Sequence, residues 1–73
     1  MVQERIIAII AEKLDIAAES ISGVSTFDDL HIDSLDLVEI MLAIEDEYDI
    51  TIEEASGLET VADVTEYVQK KIV

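Results

Sequence analysis

The sequence predicts an all-α protein, a small bundle of four helices of which three are long and one is short. Three observations support this fold class. Apolar residues recur at spacings of three and four in three separate segments, which is the period of an amphipathic helix. Proline is absent and glycine occurs only twice, so little in the chain breaks a helix. The 73 residues suffice for one domain, residues 1–73, and the 51% that are hydrophobic can form its core.

The first helix is predicted from Val2 to Leu14, and a long connection follows it as far as Asp33. The apolar residues along one side of this helix are Val2, Ile6, Ile9, Ile10 and Leu14. Four apolar residues of the connection are spaced like anchors that hold a loop onto a core, namely Ile16, Ile21, Phe27 and Leu30. A connection of this length in a small domain is typical of a functional loop.

The second helix is predicted from Ser34 to Tyr48, with Asp33 or Ser34 as its N-cap. Its core face consists of Leu37, Ile40, Met41, Ile44 and Tyr48. A second apolar cluster lies about 130° away around the helix. That cluster consists of Leu35, Val38 and Leu42, and the acidic residues around it are Glu39, Glu45, Asp46 and Asp49.

An apolar cluster surrounded by carboxylates predicts a docking surface, because apolar area gives burial and the charges steer a basic partner. The alternative is that the helix is more deeply buried and that Val38 and Leu42 belong to the core.

The last part of the chain contains the short helix and the third long one. Residues 53–56 are predicted to form one helical turn that Gly57 ends. The last helix begins at Thr60, a good N-cap with Asp63 three residues later. Its apolar side is predicted to consist of Val61, Val64, Val68 and Ile72. Lys70 and Lys71 complement the helix dipole at the other end.

Composition excludes several functions. The chain has 18 Asp or Glu against 4 Lys or Arg, a formal net charge of −14. This charge argues against nucleic acid and anionic membranes as partners, since both are bound through Lys and Arg. It also favours a monomer. The absence of cysteine excludes disulfides, thiolate metal sites and thiol catalysis by the chain itself. The longest apolar run, residues 6–11, is too short for membrane insertion, so a cytoplasmic domain is expected.

Acidic residues crowd the C-terminal end of the second helix, where the helix dipole disfavours each anion by about 0.3–1 kcal/mol. They are Glu45, Asp46, Glu47 and Asp49. Folding is expected to gain nothing from this arrangement, which therefore favours a basic partner as its reason. A solvated face that keeps the protein soluble is the alternative.

Ser34 opens the second helix, between Asp33 and Leu35. A side chain in the first turn lies beside free backbone N–H groups and the positive end of the dipole, which suits a phosphate carried covalently on the hydroxyl. Serine at a helix start is more often a cap, so the position alone leaves both roles open.

Residues 27–40, FDDLHIDSLDLVEI, resemble the attachment region of acyl carrier proteins. In that family an Asp-Ser-Leu triplet opens the second helix, and its serine bears 4′-phosphopantetheine. The similarity continues through AIEDEYD at residues 43–49 and through Thr60-Val61, so it covers nearly the whole chain. The triplet alone is a weak signal. Together with the upstream Phe-x-x-Leu, the acidic helix and the final Thr-Val it is a strong one.

The resemblance implies a right-handed four-helix bundle that is a carrier and not an enzyme, with no metal. It implies that a phosphopantetheinyl transferase moves the arm from coenzyme A onto Ser34 Oγ. The thiol of the arm would then hold acyl groups as thioesters for synthases, transferases and reductases with basic docking patches, in fatty-acid or polyketide-like biosynthesis. The expected partner contacts are Asp33, Leu35, Asp36, Val38, Glu39, Leu42, Glu45 and Asp46. The apolar interior is also expected to shelter the growing chain.

Two departures from the family pattern concern the loop and the short helix. His31 stands where the family commonly has glycine, which affects the local turn and the preference for a transferase. The segment from Asp49 to Val61 is shorter than in housekeeping fatty-acid carriers and has no proline. A truncated short helix, and a carrier dedicated to a specialised pathway, are consistent with this segment.

Other functions remain open. An aminoacyl or peptidyl carrier is one, although such carriers more often have glycine beside the attachment motif and less acidic helices. An unmodified acidic module that docks on a basic partner or gathers cations is another. Its candidate cation ligands, Asp28, Asp29, Asp33 and Asp36, lack the spacing and central glycine of an EF-hand. An enzyme that pairs Ser34 with His31 would need an elbow motif and a cleft, so no catalytic residue is expected and His31 is predicted to be an exposed loop residue.

Overall fold

The computed structural model describes residues 2–53 and 57–72. It contains three α-helices, α1 (Val2–Leu14), α2 (Ser34–Tyr48) and α3 (Val61–Ile72). The all-α class, the bounds of α1 and α2 and the start of α3 directly after its cap Thr60 are therefore confirmed. The described residues contain no strand, only one isolated antiparallel bridge.

Two short segments differ in their outcome. A 3₁₀ turn at Ala18–Ser20, which the sequence did not predict, interrupts the connection between α1 and α2. The predicted short helix at residues 53–56 lies outside the described residues, except for Glu53, which is not helical.

The core lies around α1, which packs against both α2 and α3. Its buried apolar residues come from all three helices and from the first loop: Ile6, Ile10, Ala11, Ile21, Phe27, Ile40, Met41, Ile44, Val61, Val64 and Val68. This set confirms most of the predicted core faces. The predicted core residues that are only partly buried but pack against it are Val2, Ile9, Leu14, Leu37 and Tyr48.

Two predicted core residues are exposed instead. Ile16 is 40% exposed because it follows the end of α1, where its N–H is bonded to the carbonyl of Ala11 at 3.1 Å. Ile72 is 44% exposed because it lies in the last turn of α3, one turn beyond Val68. Thr65 is buried although it is polar, and its hydroxyl donates to the carbonyl of Val61 at 2.9 Å. That bond satisfies the buried hydroxyl within its own helix.

The long loop is hydrogen bonded to the N-terminal end of α3. Phe27 N–H donates to the carbonyl of Glu59 at 3.0 Å, and Val61 N–H donates to the carbonyl of Ser25 at 3.1 Å. Ala62 N–H donates to the carbonyl of Gly23 at 2.8 Å. The carbonyls of Ser25 and Gly23 thus accept from the first N–H groups of α3, which have no partner within the helix itself. The loop is therefore fixed to α3 before the chain enters α2.

A reciprocal capping box begins α3, as the sequence predicts. Asp63 N–H donates to Thr60 Oγ1 at 3.1 Å, while Asp63 Oδ2 accepts from the N–H groups of Glu59 at 3.0 Å and Thr60 at 3.1 Å. The two backbone bonds, from Glu59 first, lower the pKa of Asp63 because they stabilise its charged form.

Aspartates in the left-handed region end the first two helices. Asp15 follows α1 with φ 56°, and Asp49 follows α2 with φ 53°. After α2 the N–H groups of Asp49 and Ile50 both donate to the carbonyl of Glu45, which satisfies an otherwise unpaired acceptor. Glycine is the usual residue at such positions, so both aspartates are held in a conformation that an L side chain disfavours.

Candidate functional site

Asp33 is the N-cap of α2. Its backbone is extended, with φ −85° and ψ 177°, and its Oδ1 accepts from the N–H of Asp36 at 2.9 Å. Of the two predicted caps it is therefore Asp33, and not Ser34, that fills this role. Ser34 is the first helical residue and is exposed. Its hydroxyl forms no hydrogen bond with any described residue, so a covalent modification would break none of their hydrogen bonds.

The turn before Asp33 is anchored at both ends. Phe27 is buried, and its carbonyl accepts from Ile32 N–H at 3.0 Å. Thr26 Oγ1 accepts from Asp29 N–H at 2.9 Å. His31, between these anchors, is exposed, as predicted, and has φ 57°. His31 therefore has a left-handed backbone, which glycine adopts more readily than any other residue. This explains why the family commonly has glycine at this position.

The second apolar cluster of α2, consisting of Leu35, Val38 and Leu42, is exposed. Leu35 is 72% exposed, Val38 54% and Leu42 58%, whereas Ile40 and Ile44 on the core face are fully buried. The alternative interpretation, that Val38 and Leu42 are core residues, is therefore wrong. Three neighbouring large apolar side chains on one helix face form a surface that water solvates poorly.

The carboxylates predicted as partner contacts divide into two groups. Asp33, Glu39 and Asp46 are exposed, while Asp36 and Glu45 are half-buried. Glu39 and Asp46 form no side-chain hydrogen bond or ion pair with any described residue, so their charges face solvent.

Two acidic residues at the end of α2 contribute to the fold, so the expectation that folding gains nothing from this cluster is wrong. Glu45 Oε2 accepts from Ile52 N–H at 2.6 Å in a half-buried position. Glu47 forms a two-bond pair with Arg5 of α1, with both N···O distances 3.1 Å. The hydrogen bond to Glu47 raises the pKa of Arg5 because it favours the charged guanidinium. These contacts, one across seven residues and one across 42, offset the unfavourable helix-dipole position.

A groove of about 240 Å³ lies beside the second apolar cluster, between α2 and the segment that follows it. Its lining residues are Leu37, Val38, Met41, Leu42, Glu45 and Ile52. Met41 is buried, Leu37 and Ile52 are half-buried, and Val38 and Leu42 are exposed. Ile52 is not among the predicted site residues, and its one signal in the sequence is the pair Ile50 and Ile52 on either side of Thr51.

The geometry around Ser34 fits a phosphate ester. The hydroxyl is exposed in the first turn of α2, beside backbone N–H groups at the positive end of the dipole, and an exposed Leu35 follows it. Across residues 2–53 and 57–72, no group of three or more His, Cys, Asp or Glu side chains is arranged to hold a metal ion. None of the described helices is long and apolar enough to cross a membrane.

Comparison with known proteins agrees with this geometry. The sequence model of a family described as the phosphopantetheine attachment site matches residues 4–68. The chain is 46% identical to an acyl carrier protein of Streptococcus thermophilus over 93% of this chain and 92% of the relative. It is 49% identical to an acyl carrier protein of Buchnera aphidicola, over 96% of this chain and 91% of the relative. Matches that cover nearly the whole of both proteins at this identity establish that the chain belongs to the acyl carrier protein family.

Proposed function

We propose that this protein carries acyl groups on a 4′-phosphopantetheine arm attached to Ser34 and presents them to enzymes of fatty-acid or related biosynthesis. One observation carries the choice of residue: Asp33 caps α2, which leaves the exposed Ser34 hydroxyl with no structural bond to lose on modification. Membership of the acyl carrier family supports the cofactor.

Attachment requires a new bond between Ser34 Oγ and a phosphorus of coenzyme A. The hydroxyl proton leaves, the phosphate–phosphate linkage of coenzyme A breaks, and the nucleotide part departs with the second phosphate. A phosphopantetheinyl transferase would supply the base and the site for this step, because no described residue is hydrogen bonded to the hydroxyl. The arm, when bound, supplies the thiol that holds acyl groups as thioesters, which this cysteine-free chain lacks. The protein itself is a carrier and not a catalyst.

The exposed face of α2 is the proposed docking face. Its apolar centre suits a partner with an apolar patch, and its acidic residues suit a surrounding ring of Lys and Arg. The transferase and the acyl synthases, transferases and reductases would dock here. The proposed contacts are Asp33, Leu35, Asp36, Val38, Glu39, Leu42, Glu45 and Asp46.

The remaining parts of the proposal follow from the family. The chain would be a single carrier domain over residues 1–73 with the right-handed four-helix bundle of the family. It would act in the cytoplasm. It would be a monomer, since its charge of −14 disfavours self-association.

Intact mass spectrometry tests the attachment. The protein is incubated with coenzyme A and a broad-specificity phosphopantetheinyl transferase, in parallel with Ser34→Ala, and circular dichroism verifies that both are helical. We expect the wild type to gain the mass of one phosphopantetheine and the variant to gain none. A folded wild type that gains no mass contradicts the proposal and favours the unmodified acidic docking module.

Offering the loaded protein acyl or aminoacyl substrates with their respective loading enzymes then separates an acyl carrier from an aminoacyl carrier.

A further inference from the structure

Glu45 lies between the proposed docking face of α2 and the segment at residues 50–53. Its carboxylate accepts from Ile52 N–H at 2.6 Å, and the pair is half-buried. A short bond from a backbone N–H to an ionised carboxylate is among the stronger hydrogen bonds in proteins. On the helix surface Glu45 follows Leu42 by three residues and Val38 by seven, so all three lie on one side of α2. A partner that covers these two apolar side chains therefore reaches Glu45.

The bond also joins two residues that line the groove beside α2. Of the described residues that line the groove, Ile52 is the one that lies outside α2. Met41 lines the same groove and is only 7% exposed. If Ile52 moves away from α2, the groove widens and Met41 becomes accessible to solvent.

The segment has separate attachments to α3. Glu53 N–H donates to the hydroxyl of Tyr67 at 3.3 Å, and Lys71 Nζ lies 3.2 Å from Glu53 Oε1. Within the described residues, Glu45 provides the only side-chain hydrogen bond from α2 to residues 50–53. The left-handed Asp49 supplies a bend between α2 and the segment. Loss of the Glu45 bond would thus release Ile52 from α2 while Glu53 stays on α3.

We infer that Glu45 is a latch that couples the docking of a cationic partner to the opening of this groove. A Lys or Arg of the docked partner competes with Ile52 N–H for the carboxylate, because a full positive charge attracts it more strongly than a neutral donor does. The acidic, exposed Glu39 and Asp46 raise the local concentration of such cations. The inference rests on the proposed function, since it requires a basic partner on α2.

Amide hydrogen exchange by NMR tests the latch in the free protein. Glu45→Ala should speed exchange of the Ile52 amide about tenfold or more, because the amide loses a charge-assisted bond. Asp46→Asn removes a charge from the next residue, which makes no bond to the segment, and should leave that exchange within about twofold of wild type. A soluble gadolinium chelate should relax the Met41 methyl signal faster in Glu45→Ala than in Asp46→Asn. Unchanged Ile52 exchange, or a Met41 methyl that stays equally shielded, would overturn the latch.

Titration with the transferase tests the coupling. The protein carries Ser34→Ala so that it binds without being loaded, and no coenzyme A is added. As the α2 amides shift on binding, the Ile52 amide should move towards its position in Glu45→Ala. An Ile52 amide that keeps its free-state position while α2 shifts would refute the coupling, as would a complex in which α2 does not shift. Either outcome leaves the proposed function standing if wild-type Ser34 still gains the mass of the arm.

Discussion

Replacing Leu42 by alanine should weaken loading of Ser34 about tenfold, and the size follows from how much of this side chain is exposed. The change removes three carbons, which contribute about 2.4 kcal/mol when fully buried, at about 0.8 kcal/mol each. Leu42 is 58% exposed, so just over half of this area remains for a partner to bury. That portion is about 1.4 kcal/mol, a factor of about ten in affinity.

The same arithmetic predicts the effect on stability. The part of Leu42 that the fold already buries contributes about 1 kcal/mol, so Leu42→Ala should lower the melting temperature by about 4–8 °C. Thermal melts by circular dichroism measure this change and fix a temperature at which the variant is fully folded. The transferase assay is then run at that temperature, with kcat/KM for the carrier protein as the readout.

A matched control and the salt dependence separate this explanation from others. Val24 is 82% exposed in the loop that is bonded to α3, so Val24→Ala should leave both kcat/KM and stability near wild type. The loss in Leu42→Ala should be the same at low and high salt, because burial of apolar area is not screened as charges are. A kcat/KM within twofold of wild type would refute the proposal that Leu42 is buried by the transferase.

Three further predictions concern charge, the loop and acid stability. Reversing Glu39 and Asp46 together to lysine should reduce kcat/KM for loading about 2–20-fold at low salt and less at high salt. The control Glu19→Lys, in the 3₁₀ turn, should have little effect. Equal losses in the two proteins would assign the effect to net charge alone. His31→Gly should raise the melting temperature by about 2–6 °C, because glycine relieves the left-handed strain at φ 57°, whereas His31→Ala should not raise it. A lower melting temperature for the glycine variant would contradict this explanation. Asp63→Asn should be less stable than wild type at pH 7, and this difference should vanish in acid. The pKa of Asp63 is lowered in the folded protein, so its charge stabilises the fold above the unfolded-state pKa. That stabilisation is lost as the pH falls through the folded-state pKa. Denaturant titrations over this pH range would measure the difference, and a pH-independent gap would refute the role of the charge.

Local signals in the sequence predicted most of the fold. The three-and-four spacing located α1, α2 and α3, and the Thr60–Asp63 pair located the start of α3, because amphipathic period and capping act within a few residues. The same reasoning separated the exposed Leu35, Val38 and Leu42 from the core face of α2. Here the angular position of each residue on one helix decides its burial.

Contacts between one helix and another part of the chain were not predictable in the same way. Nothing local in the sequence reveals that Glu45 accepts from Ile52 or that Glu47 pairs with Arg5, because these bonds depend on how the chain returns after α2. For the same reason Ile16 was expected in the core: its hydrophobicity is local, but its exposure depends on where α1 ends. The attachment region could be predicted because its recognition depends on consecutive residues.

Capping of α2 by Asp33, and not by Ser34, has a thermodynamic consequence. Because Asp33 supplies the cap, derivatising the neighbouring hydroxyl alters no hydrogen bond on which the native state depends. By linkage, a phosphate that meets the positive end of the α2 dipole only in the folded chain shifts the equilibrium towards that chain. The derivatised protein should therefore have an unfolding free energy about 0.3–1 kcal/mol higher than the bare protein, on the same set of hydrogen bonds. Successive enzymes would meet the same scaffold at every stage of a synthetic cycle and would distinguish the stages by the cargo alone.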